Sequence, residues 1–169
     1  MSTLSHPTRR GLLGLLASAA TAAVVWKLAG QGGAAAVAAT PAPFQLSDAA
    51  WRKRLTPAAY AVLRKANTEP PFSSPLDHET RRGTYHCAGC AAPLYSSSTK
   101  FDSHTGWPSF YDHLPNAVGE RADYGLGLKR TEVHCARCAG HLGHVFNDGP
   151  APTGLRYCMN GLALSFRTA

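Results

Sequence analysis

Two pairs of cysteines limit what this chain can fold into more than any other feature of its sequence. Cys87 and Cys90 form one C-x-x-C pair, Cys135 and Cys138 form another, and 44 residues separate the two pairs. Such pairs can supply four thiolates in the tetrahedral geometry that zinc prefers, and four protein ligands leave no open position for a substrate. We therefore expect one structural zinc that joins two distant hairpins of a single domain. Two disulfides are the alternative, and the oxidising compartments that exported proteins enter would ordinarily favour them.

The fifth cysteine, Cys158, stands outside both pairs and predicts a nucleophile, because the thiolate is the reactive form of cysteine. In a β-strand, residues two apart share a face, so Arg156, Cys158 and Asn160 would point the same way. The Arg156 guanidinium is expected to favour the thiolate, and Asn160 adds a polar partner for a substrate. The sequence thus predicts redox or nucleophilic chemistry at Cys158.

Two further clusters carry candidate site residues. His141 and His144 would lie on opposite faces of a regular strand, but a bulge permitted by Gly143 would bring both to one side. We expect a catalytic or substrate-orienting role for this pair, with packing or zinc ligation as the alternatives. Trp107 stands between a glycine and a proline in a predicted loop, where core packing is the ordinary role of a tryptophan.

The first 38 residues predict an export signal rather than part of a fold. Arg9 and Arg10 precede an apolar run that lasts to Trp26, and Ala36-Val37-Ala38 offers small residues for a signal peptidase. The paired arginines indicate twin-arginine export to the periplasm; if the segment is not cleaved, it would act as a membrane anchor. Because twin-arginine export carries folded proteins, zinc could be loaded before export, which favours zinc over disulfides.

Beyond the signal, about 130 residues remain, enough for one domain. Residues 39–46 are interpreted as a linker and 47–169 as the domain. Without residues 1–38 the chain has 14 Lys+Arg against 10 Asp+Glu, a net charge of +4, and the basic residues form only short pairs. We therefore expect no nucleic-acid binding, and we expect a monomer.

Local signals predict two short helices followed by antiparallel strands. Ser47 can cap a helix over Asp48–Arg54, and Thr56-Pro57 can begin a second helix that runs to about Ala66. Runs rich in Tyr, Phe, Val and Thr, broken by turn residues, then indicate β structure. The expected fold class is mainly β, of the α+β type. The predicted strands are 83–87, 93–96, 109–112, 117–122, 127–134, 145–147, 155–159 and 162–166.

Several stretches, taken in order and spacing, resemble the methionine-R-sulfoxide reductase B family. The likeness covers about Leu46 to Phe166. It implies two antiparallel sheets with short N-terminal helices, a structural zinc, and reduction of the R epimer of methionine sulfoxide, which repairs oxidised proteins under oxidative stress. The matching stretches are the two cysteine pairs, 68–72, Gly106-Trp107-Pro108-Ser109-Phe110, 141–146 with 148–150, and Arg156-Tyr157-Cys158-Met159-Asn160.

The resemblance also implies a role for each candidate site residue. Cys158 would attack the sulfoxide sulfur and end as a sulfenic acid. The sulfoxide oxygen would be bound or protonated, directly or through water, by four residues: His144, Asp148, Arg156 and Asn160. His141 would support the site. Trp107, which would receive the methyl group, and Phe110 would bind the substrate.

In one respect the chain departs from this family. Many members carry a resolving cysteine just before the Gly-Trp-Pro-Ser-Phe motif, where this chain has Thr105. Recycling of Cys158 is therefore expected to need an external thiol, from a thioredoxin-like partner or a small-thiol reductant. A zinc-stabilised binding module without catalysis, and a reductase of another sulfoxide, are the alternative functions.

Overall fold

The computed structural model describes residues 43–169, so the predicted signal and the first half of the predicted linker lie outside the described residues. Within that range, no helix has the length and apolar character needed to cross a membrane. The helices and strands are α1 (Asp48–Arg54), α2 (Pro57–Lys65), β1 (Gly83–Cys87), β2 (Pro93–Ser96), β3 (Lys100–Phe101), β4 (Ser109–Phe110), β5 (Val118–Asp123), β6 (Arg130–Cys135), β7 (His141–Phe146), β8 (Arg156–Met159) and β9 (Leu164–Thr168).

Local capping determines where the two helices begin and end. The side chains of Ser47 and Thr56 each accept a hydrogen bond from the backbone N–H three residues later, at 3.3 and 3.2 Å. Pro57 occupies the first position of α2, where its missing N–H costs no helical hydrogen bond. Ala66 adopts a left-handed conformation, with φ of 54°, and ends α2. Both predicted helices are confirmed, with the second one residue shorter than expected.

The strands form two antiparallel sheets, as the resemblance implies. The smaller sheet has the order β2-β1-β9 and the larger has the order β3-β4-β8-β7-β6-β5. Every strand pair in both sheets is antiparallel. The predicted mainly β fold with short N-terminal helices is therefore correct.

An aromatic cluster packs the two sheets together. Tyr85 and Tyr95 come from the smaller sheet and Phe110 from the larger, and all three are fully buried. The Phe110 ring stacks on Tyr95 at 4.4 Å between centroids and meets the edge of Tyr85 at 4.9 Å. Burial of such a side chain stabilises the fold by about 1.5–3 kcal/mol, so this cluster holds the sheets that carry the candidate site.

Several predicted strand bounds are wrong for identifiable reasons. The strand predicted at 145–147 overlaps the end of the longer β7, which starts at His141 and ends at Phe146. The strand predicted at 162–166 begins later, because Gly161–Ala163 forms a 3-10 turn whose N–H groups bond to the Glu69 carboxylate. The strands predicted at 109–112 and 127–134 start or end inside those ranges, and the two-residue β3 has no sequence signal.

Candidate active site

Three strands of the larger sheet meet at Cys158. In the β7–β8 pair Cys158 lies directly opposite His144, and in the β4–β8 pair it lies opposite Ser109. A Cβ atom on Gly143, the neighbour of His144, would lie 2.1 Å from the Cys158 carbonyl oxygen. Glycine at this position is therefore what allows β7 and β8 to approach closely beside the thiol.

Cys158 opens into a cavity of about 140 Å³. Four predicted site residues, Cys158, His144, Trp107 and Asn160, meet at this cavity. The lining residues are Thr68, Trp107, Arg130, His144, Phe146, Cys158 and Asn160.

The thiol of Cys158 is influenced by two opposing effects. Burial raises the pKa of the Cys158 thiol, and the nearby Arg156 charge and the hydroxyls of Thr105 and Ser109 only partly oppose this. Thr105 Oγ1 lies 4.0 Å from the Cys158 sulfur. Arg156 lowers the pKa of the Cys158 thiol and so favours the thiolate as expected, but loss of solvent around the sulfur is the larger effect.

The two predicted histidines lie side by side because β7 contains a bulge. Val133 pairs with Gly143 and His134 pairs with His141, so Leu142 is an extra residue on β7. The extra residue turns His141 to the side that His144 occupies, and their ring centroids are 5.4 Å apart. The bulge that the sequence allowed at Gly143 thus lies beside that glycine.

Each of these histidines bonds to a carboxylate from an adjacent part of the sheet. His144 Nε2 lies 2.7 Å from Asp123 Oδ2, and His141 Nδ1 lies 2.9 Å from Glu132 Oε1. Arg130 Nη2 also lies 2.7 Å from Asp123 Oδ2. Two ionic networks therefore support the histidine pair from β5 and β6.

The charge states within these networks follow from burial and hydrogen bonding. The backbone N–H of Gly125 is the main cause that lowers the pKa of Asp123 to about 2. Burial lowers the pKa of His141 despite its bond to Glu132, which favours a neutral ring. Burial also acts to raise the pKa of Glu132, but its bonds to Arg121 and His141 outweigh this and leave the pKa below its ordinary value.

Arg156 and Asp148 form an ion pair outside the lining of the cavity. Arg156 Nε and Nη2 donate to the two Asp148 oxygens at 2.9 and 2.8 Å, and the guanidinium stacks 4.4 Å above the Phe146 ring. The side chain of Asp148 is 61% exposed. The Arg156 guanidinium also acts on the Cys158 thiol, through its charge and through a side-chain hydrogen bond. The roles of Arg156 and Asp148 towards a sulfoxide oxygen stay predictions.

Asn160 lines the cavity with its amide already bonded. Its Oδ1 accepts from the Glu69 N–H at 2.9 Å, and its Nδ2 donates to the Leu142 carbonyl at 3.0 Å. The Glu69 carbonyl in turn accepts a hydrogen bond from Trp107 Nε1 at 3.1 Å. These bonds fix the Trp107 ring and the chain segment around Glu69 at the edge of the cavity.

Phe110 does not reach the cavity. Ser109 and Phe110 point to opposite faces of β4, and the Ser109 side is the one that faces Cys158, so the Phe110 ring enters the core between the sheets. The prediction that Phe110 contacts the substrate is corrected accordingly: its contacts are those of a packing residue.

Sequence reasoning gave no role to several residues that build the site. Asp123, Arg130 and Glu132 are brought to the histidines only by the register of β5, β6 and β7. Thr68 and Glu69 belong to a stretch that matches the family, which was the one available signal for them.

The four paired cysteines form a separate buried cluster. The sulfur atoms of Cys87, Cys90, Cys135 and Cys138 all lie within 4.8 Å of one another, so they could hold one metal ion. Cys87 ends β1 in the smaller sheet and Cys135 ends β6 in the larger. A metal ion there would join the two sheets.

Comparisons with known proteins agree with this geometry. A family model described as SelR domain matches residues 55–168. A peptide methionine sulfoxide reductase MsrB of Agrobacterium fabrum is 54% identical over 121 residues, which cover 71% of this chain and 90% of the relative. Proteins of the same name from Leptospira interrogans and Methanosarcina barkeri are 51% and 52% identical over 72% of this chain, covering 93% and 87% of those relatives. Domain match, identity and site geometry together show that the chain belongs to the SelR-domain family of MsrB reductases, a family of oxidoreductases.

Proposed function

We propose that the protein reduces the R epimer of methionine sulfoxide, in peptides and proteins, to methionine. The observation that carries the proposal is that the Cys158 thiol, the His144 imidazole and the Trp107 ring line one cavity of about 140 Å³. Membership of the reductase family supports the choice of substrate.

The residues of the cavity match the chemistry of a sulfoxide. Its sulfur is electrophilic, its oxygen carries partial negative charge, and methionine adds a small methyl group. Cys158 is the nucleophile for the sulfur, His144 is the proton donor for the oxygen, and Trp107 offers an apolar wall to the methyl group. The oxygen moves to the Cys158 sulfur as a sulfenic acid, so the cysteine loses two electrons and methionine is released.

Recycling of Cys158 is proposed to depend on an external thiol. The chain has five cysteines, and the four others belong to the buried cluster. A resolving cysteine would be expected just before the motif that contains Trp107, and this chain has Thr105 at that position. The Thr105 hydroxyl faces the Cys158 sulfur. A thioredoxin-like protein or a small thiol would attack the sulfenic acid instead.

We propose that zinc is the metal held by the cysteine cluster. Zn–S bonds of about 2.3 Å in a tetrahedron put the sulfurs about 3.8 Å apart. The distances between Cys87 and Cys138 and between Cys90 and Cys135 are 3.7 and 3.6 Å, which supports this metal. When bound, the ion would supply a structural cross-link and no catalytic position, because all four ligands come from the protein.

The proposal extends to export. The pattern of residues 1–38, with Arg9 and Arg10 before an apolar run, supports twin-arginine export to the periplasm. Replacement of both arginines by lysine should retain the protein in the cytoplasmic fraction. Equal periplasmic amounts of the native and the double-lysine protein would contradict this route, and a membrane-bound product would indicate an uncleaved anchor.

A turnover assay with separate epimers of a peptide methionine sulfoxide tests the function. We expect reduction of the R epimer only, in the presence of a thiol reductant. Cys158→Ser should keep the fold and lose turnover, because a hydroxyl is a far weaker nucleophile at neutral pH. Turnover of the S epimer, or substantial activity in the serine variant, would refute the assignment, and a folded protein inert towards both epimers would favour a binding module.

A further inference from the structure

Asp123 is fastened to the active site although neither the sequence motifs nor the reaction scheme assigns it a role. It ends β5 and reaches past β6 to His144 on β7. Its Oδ2 lies 2.7 Å from His144 Nε2 and 2.7 Å from Arg130 Nη2, and its Oδ1 accepts from the Gly125 N–H at 2.8 Å. Three bonds from three different residues therefore hold this carboxylate in one orientation.

This arrangement determines which nitrogen of His144 carries a hydrogen. The Gly125 N–H, together with His144, lowers the pKa of Asp123 to about 2, so the group is an ionised carboxylate at neutral pH. A carboxylate only accepts hydrogen bonds, so His144 Nε2 must be the protonated nitrogen. Among residues 43–169, His144 Nδ1 has no hydrogen-bond partner, which leaves this atom for a ligand.

His144 shares a face of the sheet with the nucleophile. His144 and Cys158 are direct partners in the β7–β8 pair, and both line the cavity. Residues directly opposite in an antiparallel pair have Cβ atoms about 4.5–5.5 Å apart. The imidazole is therefore bonded to a fixed carboxylate through Nε2 and belongs to the same cavity as the nucleophilic thiol.

We propose that Asp123 is a positioning residue of the reduction: it holds His144 in the Nε2–H tautomer and thereby leaves Nδ1 to carry a proton between Cys158 and the sulfoxide oxygen. This deepens the proposed function, because it concerns the proton that the same reaction needs. Nδ1 takes the thiol proton, and the carboxylate stabilises the resulting imidazolium. The proton passes to the oxygen as the thiolate attacks the sulfur.

The proton and the electrons balance without an outside acid. The thiol and the sulfoxide give a sulfenic acid and a thioether, and the hydrogen that leaves the Cys158 sulfur ends on the transferred oxygen. The two electrons lost by the cysteine sulfur are those gained by the methionine sulfur. His144 returns to its neutral form with Nε2 still bonded to Asp123.

Titratable and charged groups surround the His144 imidazole from every adjacent strand. The pH dependence of the reaction therefore reflects all of these groups together. Arg130 offsets part of the Asp123 charge while holding the carboxylate in place. The titratable and charged groups around His144 are Asp123 on β5, Arg130 and Glu132 on β6, His141 on β7 and Cys158 on β8.

Nuclear magnetic resonance of the folded, metal-loaded protein labelled with ¹⁵N-histidine tests the tautomer without any turnover. We expect wild-type His144 in the Nε2–H form at a pH where the ring is neutral. Asp123→Asn should give a mixture of tautomers, because an amide can donate or accept. An Nδ1–H ring in the wild type, or an unchanged spectrum in Asp123→Asn, would overturn the proposal.

Kinetics distinguish positioning from a purely structural role. Asp123→Asn should lower kcat on the order of 10²-fold with little change in KM and should alter the pH profile of kcat. In a His144→Gln background the same substitution should cost less than about 2-fold, because the two residues act as one unit. Full additivity of the two losses would contradict the proposal.

Asp102 provides a matched control. Its Oδ1 also accepts from a backbone N–H two residues on, and its Oδ2 also faces a histidine, but the Asp102 and His104 side chains are 72% and 87% exposed. Asp102→Asn should leave kcat within about 2-fold of the wild type. An equal loss in both variants would refute a special role for Asp123.

A wild type that reduces neither epimer would refute the proposed function. The tautomer experiment would still show which nitrogen of His144 bonds to Asp123, because it needs no turnover.

Discussion

At the scale of single residues, the buried thiol of Cys158 is the feature that most affects chemistry. Burial raises the pKa of this thiol, and the Arg156 charge lowers it by less. The resting enzyme therefore holds a protonated thiol at neutral pH, and a proton must leave before the sulfur can attack.

The pH dependence of alkylation follows from that state. Only the thiolate reacts, and a pKa above the ordinary value of about 8.5 keeps its fraction rising through and beyond pH 8. The rate of iodoacetamide modification at Cys158, followed by peptide mapping, should therefore increase across pH 6–9 without a plateau. Arg156→Gln should slow the reaction at pH 8, whereas Arg167→Gln, an exposed arginine on β9, should not. A plateau below pH 7 would show that the thiolate is stabilised after all.

The neighbouring Thr105 allows a second test at this scale. Its Oγ1 lies 4.0 Å from the Cys158 sulfur, so a thiol placed there needs only a small approach to reach bonding distance. After one equivalent of substrate, Thr105→Cys should form a disulfide with Cys158, and the wild type should instead hold a sulfenic acid that dimedone traps. Mass mapping of a wild-type disulfide between Cys158 and a cysteine of the cluster would show that a metal ligand resolves the sulfenic acid.

At the scale of elements, the helix pair α1–α2 lies over the cysteine cluster. Arg64 of α2 donates to the Cys138 carbonyl at 3.0 Å and stacks 4.8 Å from Trp51 of α1. Leu63 packs so closely that a Cβ atom on Gly140, beside the cluster, would meet it at 2.9 Å. The segment that follows α2 contains Glu69, whose carbonyl accepts the hydrogen bond from Trp107. The helix pair therefore connects the cysteine cluster to the cavity.

Arg64→Gln should weaken this connection. The variant loses a charged hydrogen bond and a ring contact, which together contribute about 1–2 kcal/mol to the free energy of unfolding. We also expect faster loss of metal to a chelator, measured with a colorimetric metal indicator. Lys53→Gln, an exposed cation on α1, is the matched control and should change neither value. Equal effects of the two substitutions would contradict the role of the Arg64 contact.

At the scale of the whole molecule, the cluster joins the two sheets. Cys87 closes β1 of the smaller sheet, Cys135 closes β6 of the larger, and their sulfurs belong to one buried group. The sheets also share the aromatic cluster around Phe110.

Removal of one ligand should therefore affect stability before chemistry. Cys87→Ser should release the metal and lower the free energy of unfolding by several kcal/mol, on the order expected when metal binding is coupled to folding. Cys158→Ser should keep both the metal and the thermal midpoint, so it separates the two kinds of cysteine. Metal analysis and thermal unfolding measure both outcomes, and a metal-free Cys87→Ser protein of unchanged stability would refute the structural role.

The sequence by itself determined whatever depends on neighbours close along the chain. Capping at Ser47 and Thr56 set the helix starts, and the C-x-x-C spacing separated the paired cysteines from Cys158. The order of the motifs was enough to indicate the family. These features can be recognised in the sequence because the interactions that cause them span only a few residues.

Only the tertiary structure decided the partners of the active-site groups. Asp123 and His144 are 21 residues apart and meet through the register of three strands. The inward turn of Phe110 follows from which face of β4 carries Ser109 towards Cys158. The raised pKa of Cys158 depends on the solvent that packing excludes, and desolvation is a property of the assembled fold that no local pattern of residues records.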